Sequence, residues 1–259
     1  MLTALRSLLG LGGRADRRPG RVHMLANSRP SLVYAIGDIH GCLAELAVLE
    51  RMIVADAIDT DGEKWIVTLG DYIDRGPAAA QVVDHLMARP PVGFRRICLA
   101  GNHEQMLLDF LEAPRQNVAW LDNGGLETAH SYGLSDLALQ KSPTALAAAL
   151  VGRMPASHRE WLANLPSLLA IPGFVFVHAG LRPGVPLDEQ TDDDLMWIRE
   201  PFLDNPAAGD AVVVHGHTPV AEPIVTASHI GIDTAVAATG RLTALRLDRD
   251  NHTSFLSTR

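Results

Sequence analysis

Five short segments hold most of the side chains in this chain that could do metal chemistry. They are Gly37-Asp38-Ile39-His40-Gly41, Gly70-Asp71-Tyr72-Ile73-Asp74-Arg75-Gly76, Gly101-Asn102-His103-Glu104, His178-Ala179-Gly180 and His215-Gly216-His217-Thr218. Asp38 and His40 are one residue apart, so in an extended stretch carboxylate and imidazole point the same way and can share one cation. Asp71 offers a carboxylate able to bridge two cations, Asn102 a neutral amide oxygen, and His178 and His217 imidazole nitrogens. Oxygen and nitrogen donors without thiolate suit manganese, iron or zinc rather than a structural zinc or an all-oxygen calcium site. Glycines beside these residues allow sharp turns and close approach to a ligand. A lone Asp or His in a loop is usually a turn former. Five segments in order instead point to one catalytic metal centre.

Such residues must be delivered to one place. Each of the first three segments follows an apolar, β-forming run, and the carboxyl ends of parallel strands open on a common crevice. Leu32–Ile36, Trp65–Leu69 and Ile97–Ala100 read as strands, separated by helices over Cys42–Val54 and Ala78–Ala88 and followed by one over Glu104–Leu111. Right-handed crossovers make the three strands parallel. The middle, Ala113–Pro166, is helical in pattern, clearest at Ala145–Leu150 and Arg159–Leu165. Leu168–Ile171 and Phe174–Val177 flank Pro172-Gly173 as a hairpin ending at His178. From Ala211 onward the pattern is mainly strand, at Val212–His215, Ile224–Ala227, Gly231–Asp233 and Leu242–Leu247. The expected fold is α/β: two facing mixed β-sheets flanked by α-helices, an αββα sandwich.

The 259 residues carry a net charge of −8, and no basic stripe crosses the body, which argues against nucleic acid as a partner. The first 29 residues hold six arginines and one aspartate, a net of +5 that leaves −13 on the rest. This basic stretch is expected to be a disordered extension, with an organelle transit peptide or a surface-seeking helix as alternatives, and residues 30–259 to form the domain. No apolar stretch approaches membrane-spanning length, so no stable insertion is expected. Two cysteines, Cys42 and Cys98, make no disulfide framework and suggest a reducing, cytoplasmic setting. Cys42 stands at a helix start, which could lower its thiol pKa, although packing explains it better.

From Val33 to Leu247 the sequence resembles bacterial phosphoprotein phosphatases of the calcineurin-like metallophosphoesterase superfamily, near the phage-type and enterobacterial serine/threonine phosphatases. The resemblance also covers Gly101–Met106, Trp120–Gly125, Trp197-Ile198-Arg199-Glu200 and Gly231-Ile232-Asp233-Thr234. It implies that Asp38, His40 and Asp71 hold a first metal and that Asp71, Asn102, His178 and His217 hold a second, with a bridging hydroxide as nucleophile. Manganese is the expected metal, iron and zinc the alternatives. The resemblance also implies that His103 is the general acid, that Asp74 supports it, and that Arg75 and Arg199 grip the phosphate. The expected activity is hydrolysis of phosphoserine or phosphothreonine in a phosphorylated protein or peptide. Its rival is symmetrical bis(5'-nucleosyl)-tetraphosphate hydrolysis, whose enzymes typically lack the acid that stands here as Asp74. Phosphotyrosine hydrolysis and a non-catalytic binding role are further alternatives, though no ligand or acid is missing.

Some nearby residues are expected to stay outside the chemistry. His215, which could exchange places with His217 as a ligand, is given a supporting or packing role, Asp192-Asp193-Asp194 a helix start after Thr191, and Trp197 a place in the core. The family commonly has glycine and an aromatic residue after its late Asp-Thr pair. Here Ala235-Val236 follow, which is expected to smooth the wall of the substrate groove.

Overall fold

Alternation of side chains along the strands decides the layers. The computed structural model describes residues 20–204 and 211–259. One sheet has the order β11-β10-β2-β3-β4 and the other β1-β5-β6-β7-β9-β8. In chain order these are β1 His23–Leu25, β2 Leu32–Ile36, β3 Lys64–Thr68, β4 Phe94–Cys98, β5 Leu168–Ile171 and β6 Phe174–Val177. They continue with β7 Val212–His215, β8 Ile224–Val225, β9 His229–Gly231, β10 Thr243–Asp248 and β11 Thr253–Ser257. Val33 and Ala35 of β2, with Trp65 and Val67 of β3, pack in one apolar cluster with Leu169, Phe174, Phe176 and Val214 of the second sheet. The intervening Leu32, Tyr34 and Ile36 turn the other way and pack with Leu46, Leu49 and Ile53. The two-residue period of the strand thus divides the inter-sheet core from the helix-covered core.

The helices cover the outer faces. They are α1 Leu43–Asp56, α2 Ala79–Met87, α3 Asn102–Glu112, α4 Leu126–Ser131, α5 Asp136–Leu139, α6 Pro143–Arg153, α7 Ala156–Ala163, α8 Asp192–Trp197 and α9 Val236–Thr239. Thr191 caps α8, its hydroxyl accepting the N–H of Asp194, which agrees with a helix start at the acidic triplet. On the second sheet's outer face, Val175 and Val177 pack with Leu195 and Phe202. Among the described residues no helix is long and apolar enough to cross a membrane.

β2, β3 and β4 are mutually parallel, as are β6 and β7, while β10 and β5 make each sheet mixed. The predicted mixed two-sheet fold is therefore observed. One expectation needs correction. Residues 1–19 lie outside the described residues, but His23–Leu25 of the supposed extension pairs in parallel with Leu168–Ala170. Arg21 is tied down too, its guanidinium donating to the carbonyls of Leu162 and Leu165 at 3.0 and 3.1 Å. Composition concealed this because an arginine can serve a buried backbone as well as solvent.

Candidate metal centre

The loops leaving β2, β3, β4, β6 and β7 meet at the carboxyl ends of these strands. Their backbones are strained there: five of the seven described non-glycine residues with positive φ are His40, Asp71, Asp74, Arg75 and His217. Left-handed conformations at such residues cost about 1–2 kcal/mol each and persist where surrounding bonds impose them. Those bonds are present. The N–H groups of Ile39 and His40 donate to the Asp71 carbonyl at 3.1 and 2.8 Å, and Gly216 N–H donates to the His178 carbonyl at 2.8 Å. Two glycines contribute close approach rather than a turn. A Cβ at Gly101 would run into the Asp71 carboxylate, and one at Gly216 into that of Asp38.

The potential ligands fall into two groups that share Asp71. His40, Asp71 and His103 bring donor atoms within 4.8 Å of one another, and so do Asp71, His178 and His217. Asp71 Oδ2 lies 3.6 Å from His40 Nε2, while its Oδ1 lies 3.5 Å from His178 Nε2, so the two oxygens face different groups. Asn102 Oδ1 sits between His178 Nε2 at 2.8 Å and His217 Nδ1 at 2.9 Å. Asp38 is buried at the same place but is turned onto the backbone N–H of His217, 3.2 Å from each oxygen. The structure thus gathers Asp38, His40, Asp71, Asn102, His178 and His217, and adds His103 beside His40.

Hydrogen bonding tests whether these residues fit cations. His178 Nδ1 donates to the Leu69 carbonyl at 2.8 Å, so the neutral ring presents a lone pair at Nε2. That lone pair faces Asn102 Oδ1, another acceptor, an arrangement that favours a cation between them. His40 repeats the pattern, with Nδ1 on the Ile73 carbonyl at 2.9 Å and Nε2 turned inward. There the Arg75 guanidinium supplies positive charge, 2.9 Å from His40 Nε2 and 3.1 Å from His103 Nε2. Burial holds His40 and His178 well below the ordinary imidazole range and pushes His217 down to about 3, so all three keep the ligating neutral form. Burial, reinforced by Asp233 and Asp71, pushes Asp38 well above the carboxylate range, and burial lifts Asp71 to about 6. Crowded carboxylates with neutral imidazoles are the donor set that divalent cations relieve.

His103 and Asp74 form a second unit. His103 Nδ1 donates to Asp74 Oδ2 at 2.7 Å, and the Asp74 carboxylate is wholly buried. Burial opposes charge on His103, yet the Asp71 carboxylate and the Asp74 hydrogen bond outweigh it and raise its pKa. Arg75 and Arg199 are exposed at the rim, and the charge of Arg199 acts on both His217 and Asp233.

Sequence reasoning left several residues without a role or gave them the wrong one. Glu104 is buried and accepts the N–H groups of Gly101, Asp71 and Tyr72 at 2.8–2.9 Å, tying two loops together. Glu104 makes the acid half of a capping box, reaching back to the Gly101 N–H, but glycine lacks the side chain for the other half, so the sequence motif is incomplete. Asp233 pairs with Asp38, and Trp120 and Thr128 bond Asp74. Trp197 is not core: it is 43 % exposed, its ring edge-on to His217 at 6.4 Å. Val236 is only 2 % exposed, so it lines no groove. His215 packs as expected, stacked on His229 with 2.9 Å between Nε2 and Nδ1. Burial raises the Cys42 thiol to about 11, which makes it inert.

The model of the calcineurin-like phosphoesterase family matches residues 31–247, a span that includes every potential ligand above. The chain belongs to that family. It is a metallophosphoesterase hydrolase, and the family works with divalent metal ions. The chain is 28 % identical to the asymmetrical bis(5'-nucleosyl)-tetraphosphatase PrpE of Anoxybacillus flavithermus, over 86 % of this chain and 93 % of that one. It is 30 % identical to serine/threonine-protein phosphatase 1 of Salmonella typhimurium, over 83 % and 91 %. A solved protein serine/threonine phosphatase from Saccharomyces cerevisiae shares the fold, with TM-score 0.58, 13 % identity and coverage of 92 % and 83 %.

Proposed function

We propose that this metallophosphoesterase is a phosphomonoesterase that dephosphorylates serine and threonine residues of proteins or peptides. The observation that carries the reading is the buried His103–Asp74 pair, 2.7 Å apart. An alkoxide leaving from phosphoserine needs a proton, whereas a nucleotide leaving from a polyphosphate departs as a stable anion. A built-in acid therefore serves the first reaction far more than the second. With Nδ1–H donated to Asp74, His103 turns Nε2 to the site, where it accepts from Arg75 at 3.1 Å; once Arg75 moves onto a phosphoryl oxygen, Nε2 is free to carry the proton. Arg75 and Arg199 supply planar guanidinium groups for the phosphoryl oxygens. Asp38, His40 and Asp71 would hold one cation, and Asp71, Asn102, His178 and His217 the other, with manganese expected at both. Two divalent cations held there would lower the pKa of a coordinated water and offset charge on the phosphoryl group.

A second reading has its own support. The asymmetrical tetraphosphatase relative aligns over as much of the chain as the protein phosphatase does. The deciding experiment offers manganese-loaded protein phosphoserine, phosphothreonine and phosphotyrosine peptides beside diadenosine tetraphosphate. A higher kcat/KM on the first two is expected. Preference for the dinucleotide would replace the proposal with the second reading, and activity unaffected by EDTA would remove the metal centre from both.

A further inference from the structure

Asp74 is held by more than its histidine. Oδ2 accepts His103 Nδ1 at 2.7 Å and Trp120 Nε1 at 2.9 Å, while Oδ1 accepts the Thr128 hydroxyl at 2.5 Å. The Thr128 oxygen in turn accepts the backbone N–H of Asp74 at 2.8 Å. A hydroxyl has one proton, so once its oxygen receives that N–H its own proton is directed to Oδ1. The arrangement is reciprocal. It fixes a residue whose backbone is left-handed, with φ of 70°. Asp74, Trp120 and Thr128 are almost completely buried, so water has little room to replace a lost partner. Between Trp120 and Thr128 the chain kinks at Gly124, whose carbonyl accepts the N–H of Arg75 at 3.2 Å.

We propose that Thr128, assisted by Trp120, is a positioning residue for proton donation: it locks the Asp74 carboxylate so that His103 keeps Nδ1 on Asp74 and presents Nε2 to the leaving oxygen. The inference rests on the reading of His103 as the acid. It does not depend on whether the substrate is a protein or a nucleotide. If Thr128 only supported the fold, its loss would slow all substrates alike. If it positions the acid, the loss must grow as the leaving group becomes more basic.

The experiment measures kcat and KM of manganese-loaded protein on p-nitrophenyl phosphate, whose leaving group needs little protonation, and on phenyl phosphate, whose leaving group needs more. The variants are Thr128→Val, Thr128→Ser and His103→Asn, each checked for metal content. Thr128→Val is expected to lose about 10–100-fold in kcat on phenyl phosphate, the range found when a supporting hydrogen bond is removed. On p-nitrophenyl phosphate it should lose several-fold less, with KM and metal content retained. Thr128→Ser, which keeps the hydroxyl, should restore both rates. Equal losses on the two substrates, or no recovery in the serine variant, would overturn the role of Thr128. Should the valine variant not fold, Trp120→Phe carries the same comparison, with the same outcomes. Equal losses in His103→Asn would instead remove the acid reading itself. Unequal losses there, with equal losses in Thr128→Val, would overturn the lock alone.

Discussion

At the scale of single residues, Asp71 is shared by the two groups of potential ligands. Its two oxygens face different ligand groups, and its Oδ1 also accepts the backbone N–H of His103 at 3.0 Å. An amide keeps one acceptor and turns a donor toward the other group. Asp71→Asn is therefore expected to leave fewer than two metal ions per chain. It should lower p-nitrophenyl phosphate turnover by several kcal/mol of barrier, on the order of 10³-fold. Elemental analysis beside the assay checks both, and a variant that keeps two ions and wild-type turnover would exclude a bridging carboxylate. His217 and Asp38 show how far spacing alone can reach. Their residue types pointed to ligands, but the backbone N–H of His217 on Asp38 spans 179 positions and no local pattern encodes it.

At the scale of elements, the short helix α9 carries a conformational cost. Ala235 precedes it at φ 53° and ψ 52°, in the left-handed region where the resembled family commonly has glycine. The departure noticed in the sequence thus bears on backbone strain rather than on a groove wall, since the next side chain, Val236, is buried. Ala235→Gly is expected to raise unfolding free energy by about 0.5–1 kcal/mol, strain relief outweighing the added freedom of the unfolded chain. Urea unfolding measures it, and a less stable variant would show that the strain is absent. Strand positions were legible within a few residues because alternation and apolar runs are local signals. β1 was not, since its three residues become a strand only by pairing with β5, more than a hundred positions later.

At the scale of the whole molecule, one buried ionic group joins three elements on the side covered by helices. Glu50 of α1 accepts from His85 of α2 at 2.6 Å and Arg96 of β4 at 2.7 Å. Burial alone would raise the Glu50 pKa, but the His85 hydrogen bond and the Arg96 charge outweigh it and hold the carboxyl below its ordinary 4.5. A pKa depressed by folding contributes stability that is complete above the unfolded value and is lost as pH falls through the folded one. Glu50→Gln is therefore expected to cost about 1–3 kcal/mol at neutral pH. The gap to wild type should narrow as pH falls below 4.5. Thermal unfolding across that pH range tests it, and a gap that widens on acidification would reverse the assigned sign.

The sequence by itself determined the candidate donor set and the order along the chain of the strands that carry it. Both follow from residue type and from periods of two or three to four residues. The tertiary structure decided which glycine makes room for which carboxylate, that Glu104 ties two loops, that Trp197 faces solvent, and that Thr128 and Trp120 grip Asp74. Thr128 lies 54 positions from Asp74, and the two meet only when α4 packs beside the loop after β3. Hydrogen bonds and close approach act over a few ångströms in space, whatever the separation along the chain. Residue pattern can supply the parts of a catalytic centre, but only the packed fold shows which parts touch.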